Sequence, residues 1–194
     1  MFNTRMRPAY YDESRSAAAP GPETESEASM THPVSELDQL MQPAIDEARA
    51  ASTPPRRDIP IGAAVYDEEG RLIASAGNRR EADEDPTAHA EILALREAAR
   101  VRGRWNLSGC TLAVTLEPCT MCAGAIVLAR IEHLVVGAMD PKAGAAGSLY
   151  DLVREERLNH RVRLTTGVRE HECAQMLRDF FRDLRERRKG LRAG

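Results

Sequence analysis

No apolar run in this chain approaches the ~20 residues that a membrane-spanning helix needs, so no span is expected. No short apolar h-region stands near the N-terminus either, so no secretory signal is read and the cytosol is the expected compartment. An excess of positive charge is also lacking: 27 Lys and Arg stand against 30 Asp and Glu, for a net charge of -3. That excludes a basic nucleic-acid binder acting through its whole surface, but it leaves room for a local patch. Cysteine is sparse, with only Cys110, Cys119, Cys122 and Cys173. A disulfide scaffold is excluded, and in the cytosol a Cys-x-x-Cys pair reads as metal or redox chemistry. No internal repeat is apparent.

What is present is one domain's worth of chain with some excess. Hydrophobic residues make up 42% of the 194, enough for a core of ordinary globular size. Residues 1–33 stand apart. Ser16-Ala17-Ala18-Ala19-Pro20-Gly21-Pro22-Glu23 and its surroundings carry too little apolar surface to offset the entropy of ordering, so this stretch is expected to be a disordered tail. The folded domain is expected over 34–190, with 191–194 as a short C-terminal tail.

Apolar residues at helical spacing (Leu37, Leu40, Met41, Ile45, Ala48) predict a first helix over 34–51. Pro43 within it is expected to kink it or shift its start. A hairpin follows, with strands over 61–66 and 72–76 about an Asp67-Glu68-Glu69-Gly70 turn. Then come a helix from about Thr87 to Val101, a strand over 112–116, a helix over 119–129, a strand over 131–137, a strand over 161–165 and a long helix over 170–189. Strands alternating with helices after an initial hairpin imply a layered α/β domain with a mixed sheet.

His89-Ala90-Glu91 and Pro118-Cys119-Thr120-Met121-Cys122 carry the chemistry. One imidazole and two thiolates are the donors of a catalytic zinc whose fourth position stays open for water. Asp85 or Thr87 is expected to cap the first of the two helices, so that His89 and Glu91 lie in its opening turn. Cys119 and Cys122, three apart at the start of the next helix, would share one face, where the helix N-terminus favours thiolates. A histidine, a nearby glutamate that is not a ligand and a Pro-Cys-x-x-Cys are a recognised signature of zinc deaminases acting on nucleobases. Zinc lowers the pKa of its water from about 15.7 to about 7. Glu91 would take that water's proton, deliver it to the ring nitrogen and later protonate departing ammonia.

A Cys-x-x-Cys by itself is more often half of a structural zinc site or a redox pair. A structural site would show a fourth Cys or His nearby, and neither Cys110 nor Cys173 has a partner at ligand spacing. His32, His133, His160 and His171 read as surface or structural residues, although the Asn159-His160-Arg161 stretch has the character of a loop that touches a partner.

Several motifs resemble those of bacterial tRNA-specific adenosine deaminases: Asp85-Pro86-Thr87-Ala88-His89-Ala90-Glu91-Ile92, Thr115-Leu116-Glu117-Pro118-Cys119-Thr120-Met121-Cys122-Ala123-Gly124-Ala125, Lys142-Ala143-Gly144-Ala145-Ala146-Gly147-Ser148 and Asn159-His160-Arg161-Val162. The resemblance runs from about residue 34 to 189. It implies a cytidine-deaminase-like fold, a three-layer α/β/α sandwich with a five-stranded mixed sheet. It also implies one Zn2+ per subunit on His89, Cys119 and Cys122, with Glu91 as the proton carrier, and Asn78 and Ala90 against the substrate base. The implied partners are the anticodon arm of a tRNA, read as an arginine tRNA deaminated from adenosine to inosine at the wobble position, and a second copy of the chain.

The His-x-Glu and Pro-Cys-x-x-Cys core is shared with guanine, cytosine and riboflavin-pathway deaminases, so a free nucleobase or nucleoside deaminase is the alternative. A non-catalytic zinc-stabilised RNA-binding protein is a third reading, and the uncommitted Glu91 argues against it. Asp179-Phe180-Phe181-Arg182 and the basic residues after it point to RNA, because aromatics beside cations offer stacking and phosphate contacts. Phe181, Arg182 and Arg185, with Asp140 and Lys142 from the preceding loop, are the expected RNA contacts. The chain departs from the family in its N-terminal extension and in the Met139 and Pro141 that flank Asp140.

Overall fold

The computed structural model describes residues 34–55 and 57–190, and the tails expected at 1–33 and 191–194 lie outside them. Nine elements follow one another: α1 (Val34–Ser52), β1 (Gly62–Tyr66), β2 (Leu72–Gly77), α2 (Ala90–Arg102), β3 (Thr111–Leu116), α3 (Thr120–Leu128), β4 (His133–Ala138), β5 (Arg163–Thr165) and α4 (Glu170–Gly190). The strands form one sheet in the order β2-β1-β3-β4-β5. β1 is antiparallel to both neighbours, whereas β3, β4 and β5 run parallel. The sheet is therefore mixed and five-stranded, as the resemblance implies.

Alternation along the strands divides the core into two layers. Ala63, Val65, Leu112, Val114, Leu134 and Val136 pack with Ala90, Ala94 and Leu95 of α2 and with Ala123 and Ile126 of α3. Ala64, Tyr66, Ala113 and Val135 point the other way, against Met41, Ala44 and Ile45 of α1 and Cys173 of α4. Each central strand is buried on both faces, which is why β1 and β4 read as unbroken apolar stretches. Among the described residues no helix is long and apolar enough to cross a membrane.

α1 runs unbroken through Pro43, so the expected shift of its start does not occur. Packing overrides the local cost, because α1 sits unusually close to the sheet. Gly62 and Gly77 face each other across β1 and β2. A Cβ on Gly62 would lie 1.9 Å from the Ala44 carbonyl oxygen, and one on Gly77 would lie 2.6 Å from that of Glu47. These two glycines form the groove in which the helix backbone rests. Gly62→Ala should therefore destabilise the protein by about 3 kcal/mol or more, the upper range for overpacking. Urea unfolding of the zinc-loaded protein measures it, and a loss below about 1 kcal/mol would show that α1 moves away at little cost.

The start of α2 also differs from expectation. α2 starts at Ala90 and not near Thr87, because Asp85 accepts hydrogen bonds from the backbone N–H and the hydroxyl of Thr87, both at 2.7 Å, and holds 85–88 as a turn. The 159–161 stretch is tied to its own fold. Arg130 donates to the Asn159 carbonyl and side-chain oxygens at 2.9 and 2.7 Å, and His160 Nε2 lies 2.7 Å from the Ile131 carbonyl.

Candidate active site

The sheet places its functional ends together. β3 runs into Pro118 and α3, β4 runs into the loop 139–148, and α2 begins beside them. This is the carboxyl edge of the parallel strands, where open α/β sheets bind their ligands.

His89 and Cys119 are the N-cap residues of α2 and α3, both with extended backbone and neither using its side chain as a cap. Each carbonyl opens its helix, accepting from Leu93 N at 3.0 Å and from Ala123 N at 2.8 Å. Each side chain is thereby left to point away from its helix. Cys122 follows within the first turn of α3. His89 Nδ1, Cys119 Sγ and Cys122 Sγ all lie within 4.8 Å of one another.

The imidazole nitrogen is 3.7 Å from Cys119 Sγ and 3.6 Å from Cys122 Sγ. A tetrahedral zinc with Zn–S near 2.3 Å and Zn–N near 2.0 Å requires a nitrogen-to-sulfur separation of about 3.5 Å. The donors fit the ion in chemistry and in spacing. No fourth Cys or His joins the cluster among the described residues, which is the pattern of a site left open for water. Cys110 is buried in the core, and Cys173 Sγ lies where a Cβ on Gly137 would fall, so both are packing residues.

Protonation follows the geometry. The hydrogen bond from the Cys122 thiol, with His89 next to it, holds the Cys119 thiol down to about 3, while the same hydrogen bond and burial push Cys122 up. Hydrogen bonding to Cys119 raises His89. Glu91 is buried, and that burial lifts its carboxyl above the ordinary range although His89 pulls the other way. A carboxyl raised by desolvation beside a metal-binding cluster is the kind of group that carries protons.

A cavity of about 610 Å³ opens over the cluster. His89, Glu91 and Cys119 line it, with Asp140 and Lys142 from the 139–148 loop and Phe181 from α4 on its walls. The structure thus brings together three of the five expected RNA contacts. Arg182 and Arg185 are exposed and do not line the cavity, and Arg182 is paired with Asp179 at 2.7 Å. Two cations not singled out from sequence do line it, Arg80 and Arg178. Arg178 stands three residues before Phe181 on the same helix face, a spacing that would have found it.

Asn78 and Ala90 are buried and are not on the cavity wall. Asn78 Nδ2 donates to Asp58 Oδ1 at 3.1 Å, and Asp58 also accepts from the backbone N–H groups of Glu81 and Ala82, at 3.0 Å each. Asp58 thereby fixes both Asn78 and the turn that carries Arg80.

Glu117 was also not singled out, although it adjoins Pro118. It is buried, and burial pushes its carboxyl up. Hydrogen bonds from Ser148, Asp140 and Ala146 outweigh that effect and leave it below the ordinary range.

A family model for the cytidine and deoxycytidylate deaminase zinc-binding region matches residues 34–138. The chain is 49% identical over 152 residues to a tRNA-specific adenosine deaminase of Bacillus subtilis (strain 168), covering 78% of this chain and 92% of that one. Among solved structures it is similar to one from work on A-to-I editing by tRNA:A34 deaminases at the wobble position of transfer RNA, with a TM-score of 0.68 and 44% identity, covering 72% of this chain and 99% of that chain. A guanine deaminase from Nitrosomonas europaea matches with a TM-score of 0.57 and 29% identity, covering 78% of this chain and 85% of that one.

Proposed function

Because the chain belongs to the tRNA-specific adenosine deaminases of the cytidine and deoxycytidylate deaminase family, we propose that it hydrolyses adenosine to inosine at the wobble position of a tRNA anticodon, with release of ammonia. The observation that carries this reading is the His89, Cys119 and Cys122 cluster at the floor of a cavity whose walls bear Arg80, Lys142, Arg178 and Phe181. Cations and an exposed ring around the mouth suit a nucleotide within a polyanion better than a free base.

His89, Cys119 and Cys122 would hold the metal, one ion per subunit. Bound zinc supplies the Lewis acidity that makes water nucleophilic at neutral pH. Glu91 accepts a proton from the attacking water and delivers it to the ring nitrogen beside the attacked carbon. It then takes the proton of the hydroxyl now on that carbon and passes it to the amino group, which leaves as ammonia as the carbonyl forms, so one carboxyl serves both relays. Its burial keeps bulk water from competing for that proton. Asn78, held by Asp58, and Ala90 beside the ligand His89 lie buried next to lining residues and not on the wall, so their part in orienting the base rests on the family resemblance. Asp140, Lys142 and Phe181 would contact the flanking nucleotides, while Arg182 and Arg185 lie outside the cavity and would reach only the arm beyond.

Incubation of the zinc-loaded protein with unmodified arginine tRNA should give inosine at the wobble position, read by sequencing of the cDNA. Ammonia release from guanine, cytosine or free adenosine, with none from tRNA, would select the free-base reading that the guanine deaminase likeness keeps in view. A tRNA substrate would make the cytoplasm its working compartment.

The protein would act as a homodimer. α2 and α3 present an apolar hollow in which Trp105 is 67% exposed and Leu128 is 69% exposed, with Ile92, Ala99 and Ala125 around them. Faces of that kind on a small protein mark association surfaces. Leu128→Glu should convert a dimer into a monomer in light scattering at micromolar concentration, whereas a wild-type monomer would remove the proposal.

A further inference from the structure

Four hydrogen-bond donors converge on the Glu117 carboxylate. Its Oε1 accepts from the backbone N–H groups of Ala146 and Ser148, at 2.9 Å each. Its Oε2 accepts from the Asp140 N–H at 2.8 Å and from the Ser148 hydroxyl. An ionised carboxylate has about four acceptor sites, so every one is used. The loop also fits close against the acid. A Cβ on Gly144 would fall 2.1 Å from Oε2, so that only glycine passes there. Two backbone contacts bind the same loop to the start of α3: Ala145 N–H donates to the Pro118 carbonyl at 2.8 Å, and Gly144 bridges Cys119. The loop that carries Asp140 and Lys142 to the cavity wall is therefore pinned to the backbone of a zinc-binding cysteine.

We infer that Glu117 is a positioning residue for substrate: it hooks the Asp140 end of the 140–148 loop to the metal-binding helix, and so sets where the loop meets the nucleotides that flank the target base. This rests on the tRNA reading above. The chemistry asks only for an acceptor at all four places, so Glu117 carries no proton in the reaction.

Glutamine at this position separates the hook from the rest. Its amide NH2 cannot sit at the Oε1 side, where two backbone N–H groups point at it and cannot turn away. At the Oε2 side the Ser148 hydroxyl can rotate to accept, and only the Asp140 N–H is left facing a donor. Glu117→Gln therefore unhooks Asp140 while Ala146 and Ser148 stay held. Ser148→Ala removes one donor and leaves Asp140 hooked.

Amide exchange read by NMR on the zinc-loaded full chain tests this, beside tRNA kinetics. In wild-type protein the Asp140, Ala146 and Ser148 amides should all be protected. In Glu117→Gln the Asp140 amide should exchange faster while the other two stay slow. KM for tRNA should rise by about tenfold, the effect of one hydrogen bond to a charged group, with kcat within about twofold and zinc content unchanged. Ser148→Ala should raise KM less. Unprotected amides in the wild type, an Asp140 amide still slow in Glu117→Gln, or a fall in kcat at constant KM would each overturn the inference. Absence of inosine from wild-type reactions would overturn the tRNA reading instead, and exchange at Asp140 then decides the hook by itself.

Discussion

Cys119→Ala should leave the protein without zinc and without turnover. The reason is the small number of donors. Three atoms, His89 Nδ1 and the two sulfurs, stand at the spacing a tetrahedral ion needs. Removing one leaves an imidazole and a thiol that burial pushes up. A ligand sulfur binds as thiolate, so its loss takes away charge as well as a donor. Metal analysis of the purified variant should fall from about one zinc per chain to a small fraction of that, and inosine formation should drop to background. Stoichiometric zinc in Cys119→Ala would show that the ion sits elsewhere.

Glu91→Gln should do the opposite on one axis and the same on the other. The amide is close to the carboxyl in shape, so the α2 start and the zinc site are retained. What goes is the proton carrier, and general acid–base groups contribute roughly 10²–10⁴-fold to rate. kcat should fall by about that range at unchanged zinc content. The buried setting of Glu91, which lifts its carboxyl, is what suits it to gaining and losing a proton during turnover. Equal loss of zinc from Glu91→Gln and Cys119→Ala would contradict the division of roles, and so would turnover in Glu91→Gln near that of the wild type.

The two variants also separate the readings of the motif. A purely structural zinc site predicts that Glu91→Gln changes nothing but stability. A deaminase predicts a rate effect with little change in unfolding free energy. The dimer experiment reads oligomeric state and the hook experiment reads an amide and KM, so their outcomes do not bear on this distinction.

Much of the architecture is legible in the chain itself. Helical spacing of Leu37, Met41, Ile45 and Ala48 marks α1, and the alternation around Asp67–Gly70 marks the hairpin. Helix starts are less legible. Asp85 and Thr87 look like caps for α2, yet they form a turn of their own, and His89 takes the N-cap position with its ring directed at the sulfurs. A short polar residue before an apolar run suits a cap and a turn equally, and only the position of the cysteines chooses between them.

The donor set and its chemistry were determined by sequence alone. The Cys119 and Cys122 spacing is a local matter, written in local order, whereas His89 reaches them from another helix 30 residues away. Only the tertiary structure decided which cations face the substrate: Arg80 and Arg178 line the cavity, while Arg182 and Arg185 stay in solvent. It also decided what Glu117 does, since its four hydrogen bonds reach 23 to 31 residues along the chain to a loop. Such contacts depend on which strand ends the sheet order brings together, and spacing along the chain carries no record of that.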